Sequence, residues 1–140
     1  MYMLEEIKVG MVESYSQTIS EADVKNFANI SGDRNPVHMD ELYAEKSRFG
    51  KRITHGMFSV SFFSALFGMK LPGPGCVYVS QDLKFRKPVY IGDTVTAYVK
   101  VKDIDLERRR VYFDTYCKVG NSKVITGSAE IYIPNLKKQS

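Results

Sequence analysis

At 140 residues the chain is the size of one domain and long enough to bury a core without staples. Its apolar and charged fractions, 44% and 26%, are ordinary for a globular protein and exclude a disordered or fibrous one. The net charge of +4 comes from scattered clusters (84–87, 108–110, 137–138) with no zinc-finger, RNP or basic-helix context, so nucleic acid is not expected as a partner.

The first ten residues carry acids and no apolar run, unlike a secretory signal. The most apolar stretch, 57–69, is too short to cross a bilayer. Cys76 and Cys117 lie in strand-like runs and in no C-x-x-C pair, so they read as buried thiols in a reducing compartment. A cytoplasmic protein with no membrane partner is expected.

Residues 11–19 have strand character. Ser20 follows as an N-cap, with acids in the next turn, and Val24, Phe27, Ala28 and Ile30 recur at helical spacing over 21–30. Gly32 ends that helix. Residues 31–40 read as a loop, 40–44 as a short helix and 47–53 as irregular. The segment 55–70, HGMFSVSFFSALFGMK, is apolar around most of its circumference, with only serines for relief. Such a helix has to be enclosed. LPGPG stops it, and the runs 76–87, 94–103, 109–118 and 123–133 then alternate as strands with short, antiparallel connections. A sheet with an apolar face and a helix apolar all round are both satisfied if the sheet wraps the helix. The expected architecture is therefore α+β: a single hot-dog domain over 1–140, with about five antiparallel strands around one long helix. The alternative is a helix lying flat on the sheet, one side wet unless a second subunit covers it.

The loop SGDRNPVHMD carries the chemistry. Asn35-Pro36 forces a bend, because the residue before a proline is pushed out of helical backbone. Asp33 and His38 flank it. A straight strand would put them on opposite faces, whereas a bend aims both at one point. Carboxylate and imidazole form a general acid–base pair that can orient a water and move a proton each way. Taken singly, Asp33 also reads as an Asx-turn residue and His38 as a loop histidine without a role. Asp33, His38 and Asp40 are the metal set to weigh. No cysteine is near and the other histidine is at 55, so no metal and no cofactor is expected.

SGDRNPVHMD, followed by RFGKRITHGM and by DLKFRKPVYIGDTV over 82–95, resembles the MaoC-like (R)-specific enoyl-CoA hydratases and (R)-3-hydroxyacyl dehydratases. Their pattern is G-D-x-N-P-[LIV]-H with a downstream H-G opening the long helix. The resemblance runs from about residue 15 to 133. It implies a hot-dog homodimer and reversible syn hydration of trans-2-enoyl thioesters on coenzyme A or acyl carrier protein. It makes Asp33 and His38 the catalytic pair, gives the Gly56 N–H to the thioester carbonyl, and makes Ser64 a supporting residue that orients Asp33.

The residue chemistry agrees with those roles. Attack at C3 needs a base, C2 needs a proton, and the enolate oxygen needs donors. Gly56 sits where the first free N–H groups of the buried helix fall. Which of Asp33 and His38 performs which step stays open, since imidazole serves either way. Asn35 shapes the bend; His55 reads as a cap or supporting group. Met57, Phe62, Phe63, Leu66 and Phe67 are candidates to line the acyl tunnel, and Lys84, Arg86 and Lys87 to meet phosphates. Two readings compete. A hot-dog thioesterase would want an acid within the long helix, and 55–70 contains none. A non-catalytic thioester-binding module would not need the Asp–His pair.

Overall fold

The computed structural model describes residues 1–135; Lys137 and Lys138 lie outside the described residues. Strand β1, Val12–Thr18, runs into α1, Glu21–Ser31. The Ser20 hydroxyl accepts the Asp23 N–H while the Asp23 carboxylate accepts the Ser20 N–H, a reciprocal box that satisfies two donors at the helix start. Gly32 ends α1 in the left-handed region at φ 82°, its N–H donating to the Ala28 carbonyl. After α2 (Pro36–Met39) and α3 (Glu41–Glu45) comes the long helix α4, Gly56–Met69. Strands β2 (Val77–Phe85), β3 (Thr94–Asp105), β4 (Arg110–Val119) and β5 (Ser122–Tyr132) complete the chain.

All strand pairs are antiparallel, in the order β1-β3-β4-β5-β2. Alternation puts Val95, Ala97, Val99 and Val101 of β3 and Val111, Phe113 and Cys117 of β4 on the inner face. They form one core with Phe63, Leu66 and Phe67 of α4. This is the expected five-stranded sheet packed on a long helix. Both cysteines are free, and burial pushes the Cys117 thiol up to about 12. Among the described residues no helix is long and apolar enough to cross a membrane.

Two features differ from expectation. Residues 36–39 are a helical turn rather than loop, because Pro36 begins it with φ already set and the Asn35 side chain caps it. The sheet also does not enclose α4 within one chain. A strip of Met57, Ser61, Ser64, Ala65 and Met69 stays exposed, since five strands cover only the side carrying the large aromatics.

Candidate active site

Asp33 follows α1 and turns back on the chain. Its Oδ1 accepts the Asn35 N–H at 3.1 Å, and its own N–H donates to Ser31 Oγ at 3.0 Å. Asn35 Oδ1 in turn accepts the Val37 N–H at 3.2 Å and starts α2. That turn carries His38 inward, where it is buried. His38 Nδ1 donates to the Ile53 carbonyl at 2.8 Å. A carbonyl only accepts, so the hydrogen sits on Nδ1 and the neutral ring keeps its lone pair on Nε2.

Burial is the main influence on His38 and pushes its pKa below the ordinary histidine value. The Ile53 carbonyl opposes that shift, His55 adds to it, Asp33 opposes it and Arg52 adds to it. Arg52 also fixes the turn from outside. Its Nε donates to the His38 carbonyl at 2.6 Å, and its Nη1 reaches both Glu21 carboxylate oxygens at 3.0 and 2.9 Å. The segment from Arg52 to Thr54 is itself pinned: Ile53 N–H donates to the Val37 carbonyl and Thr54 N–H to the Val89 carbonyl.

His55 joins the group. It makes no cap bond to α4. Its Nε2 donates to the Asp33 carbonyl at 2.9 Å, and its ring lies on that of His38 with centroids 4.1 Å apart. Side-chain ligand atoms of Asp33, His38 and His55 all lie within 4.8 Å of one another. The bend therefore does bring carboxylate and imidazole together. Asp40 turns away, its Oδ1 accepting the Leu42 and Tyr43 N–H groups at the start of α3. Two imidazoles and a carboxylate are a donor set that a transition metal accepts. Here each ring has already committed one nitrogen to a backbone carbonyl, and His55 Nδ1 is buried without a partner among the described residues.

Gly56 opens α4, where backbone N–H groups have no acceptor in the helix ladder and the dipole is positive. Phe85 of β2 lies against it: a Cβ at Gly56 would stand 2.5 Å from the ring. A cleft of about 240 Å³ opens beside His38 and Gly56. Phe49, Ile53, Phe85 and Val89 form its apolar walls, and Arg48, Arg86 and Lys87 lie on it.

The other expected residues fall elsewhere. Ser64 lies on the exposed strip of α4, and among the described residues no hydrogen bond joins it to Asp33. The orienting bond expected of Ser64 is not made within one chain, because that face of the helix turns away from the sheet. Met57 shares the exposed strip, and Phe62, Phe63, Leu66 and Phe67 are core. Lys84 is exposed on β2. The sequence reading missed the placing roles of Arg52 and Ile53 and the wall formed by Phe49 and Phe85. Their signal was slight: R-I-T-H has no periodicity, and its partners are backbone carbonyls, which carry no sequence signature.

The profile of the MaoC like domain matches residues 4–123. The chain is 48% identical over 134 residues to the (R)-specific enoyl-CoA hydratase of Rhodospirillum rubrum, covering 96% of this chain and 93% of that one. It is 45% identical over 130 residues to the 3-hydroxybutyryl-CoA dehydratase of Methylorubrum extorquens, covering 93% and 83%. The solved structure of the (R)-hydratase from A. caviae involved in PHA biosynthesis superposes with a TM-score of 0.90 at 36% identity, covering 93% of this chain and 99% of that one. With this profile and these relatives, and with the buried His38 imidazole and the glycine-led helix on one cleft, the chain belongs to the MaoC-like family.

Proposed function

We infer that this chain is an (R)-specific enoyl-CoA hydratase, a hydro-lyase that adds water reversibly to trans-2-enoyl thioesters to give (R)-3-hydroxyacyl thioesters. The observation that carries the reading is the meeting of the Asp33 carboxylate and the His38 ring beside the N-terminus of α4. A water between Asp33 and His38 loses a proton to the pair as its oxygen bonds to C3. The C2–C3 π electrons move towards the thioester, and the oxygen that gains charge accepts the Gly56 N–H. The same pair returns a proton to C2, so no net proton is gained. Asn35 holds the bend that sets this geometry.

The basic side of the cleft, Arg48, Arg86 and Lys87, suits the phosphates of coenzyme A. A thioesterase reading lacks its acid, since α4 contains neither Asp nor Glu. The reading includes a homodimer, which the exposed strip of α4 supports, and a cytoplasmic location, which the free thiols support.

Loss of enoyl absorbance with crotonyl-CoA tests it. The wild type has to turn over, and His38→Gln has to lower kcat by about 10²- to 10⁴-fold. Thiol release without hydration, or full activity in that variant, ends the reading. Comparing kcat/KM on C4, C8 and C16 enoyl-CoA, and on the carrier-protein thioester, assigns chain length and carrier.

A further inference from the structure

We propose that His55 is a positioning residue for the hydration, a single side chain that ties the Asp33 backbone, the His38 ring and the start of α4 into one unit. The proposal rests on the hydratase reading. Asp33 is exposed, and its other hydrogen bonds reach only two residues along the chain, to Ser31 and Asn35. The His55 bond to its carbonyl spans 22 residues and ties the Asp33 end of this loop to the start of α4, while its other end is held through Val37 and His38 by Arg52 and Ile53. The other face of the linkage is the ring contact with His38, tilted 32°. The third is covalent, because His55 precedes Gly56, whose N–H meets the thioester oxygen.

The burial argues that this polarity has a use. His55 is 1% exposed, packs on Phe27 at 4.9 Å, and leaves Nδ1 without a partner among the described residues. An enclosed nitrogen with no partner destabilises the fold. A phenyl ring would pack there without that penalty. What a phenyl ring lacks is the Nε2–H that reaches Asp33. Because the acceptor is a carbonyl, the hydrogen must be on Nε2 of His55, the opposite tautomer to that of His38. The pair thus presents its two hydrogens to two different backbone segments.

Two readouts test this, one of them independent of turnover. At pH 8, ¹⁵N NMR of the imidazole rings of the wild type has to place the hydrogen on Nε2 of His55. Finding it on Nδ1 overturns the proposal whatever the substrate, whereas an inert wild type with the expected tautomer overturns the hydratase reading alone. In crotonyl-CoA kinetics, His55→Phe keeps the ring packing and loses the donor. It should lower kcat by about 10- to 100-fold with KM nearly unchanged, the scale of a 1 Å misplacement. His55→Gln restores an N–H at the same reach and should recover most of that loss. A folded His55→Phe with wild-type kcat overturns the proposal. Should His55→Phe fail to fold, His55→Gln decides: kcat within about tenfold of wild type sustains it, and a folded variant without activity overturns it.

Discussion

At Asp33 the turn seen in the structure and the proposed base fall on one residue, and a substitution can separate them. Its Oδ1 makes the Asx turn to Asn35, while the carboxylate lies within 4.8 Å of the His38 and His55 ligand atoms. An asparagine in its place would keep the accepting Oδ1 and lose the base. Asp33→Asn should therefore leave the melting temperature almost unchanged while kcat falls about 10²- to 10⁴-fold, and Asp33→Ala should lose both. Calorimetry beside kinetics reads the two effects separately. His38 carries a pH signature. Burial first, with His55 and Arg52, outweighs the opposing pull of the Ile53 carbonyl and Asp33 and leaves its pKa below the ordinary value of 6.5. The acid limb of kcat/KM that His38 sets should lie below that value. The sign for stability follows from proton counting: below pH 6.5 the unfolded ring binds a proton before the folded one does. The contribution of His38 is fully present above 6.5 and is lost as pH falls through the folded pKa. His38→Gln should flatten that part of a urea-midpoint profile; a profile that keeps its slope would assign the titration elsewhere. The polar bend itself was legible because proline dictates backbone. The tautomer of His38 was not, because it is set by the Ile53 carbonyl fifteen residues away.

At the level of elements, two glycines close to neighbouring strands should respond in opposite ways. A Cβ on Gly56 would meet the Phe85 ring at 2.5 Å, but that ring is the end of a side chain 54% exposed and free to swing. Gly56→Ala should cost stability at the low end of overpacking, about 1 kcal/mol, and lower kcat/KM far more, because the displaced ring enters the cleft. Phe85→Leu in the same chain should relieve part of the stability loss, read as a double-mutant cycle in urea. Gly127 of β5 faces backbone instead: a Cβ there would stand within bonding-clash range, 2.0 Å, of the Asp82 carbonyl oxygen of β2. Neither strand can yield without breaking the ladder, so Gly127→Ala should cost about 3 kcal/mol or unfold the β2 edge. Equal losses at both positions would remove the distinction. The strands and α4 were readable to within a few residues, since periods of two and 3.6 are local properties of a sequence. Glycine requirements were not, because Phe85 reaches Gly56 only through the packing of β2 beside α4, and Asp82 reaches Gly127 only through strand pairing.

For the whole molecule, one chain leaves apolar surface that water does not favour. β2 forms an outer edge of the sheet and exposes Val77, Tyr78, Val79 and Phe85. On α4 the strip with Met57, Ala65 and Met69 is open as well. An unpaired apolar edge invites a second copy, and in the proposed homodimer pairing across a two-fold axis would extend the sheet, with the α4 strip as the other surface to be covered. Such a dimer would enclose a helix whose sequence demanded enclosure and whose own sheet covers only one side. Ala65 is the sharpest probe, being small and set beside the open serines Ser61 and Ser64 of α4. Ala65→Arg places a long charged side chain on that strip without touching the core or the Asp33–His38 bend. Light scattering should give about twice the chain mass for the wild type and one chain mass for the variant, with the far-ultraviolet dichroism of the fold retained. Activity with crotonyl-CoA should fall with the dimer, since Met57, immediately after Gly56, the proposed donor, is exposed on the same strip. A folded Ala65→Arg that remains dimeric would remove α4 from the interface and leave the β2 edge as the surface to test.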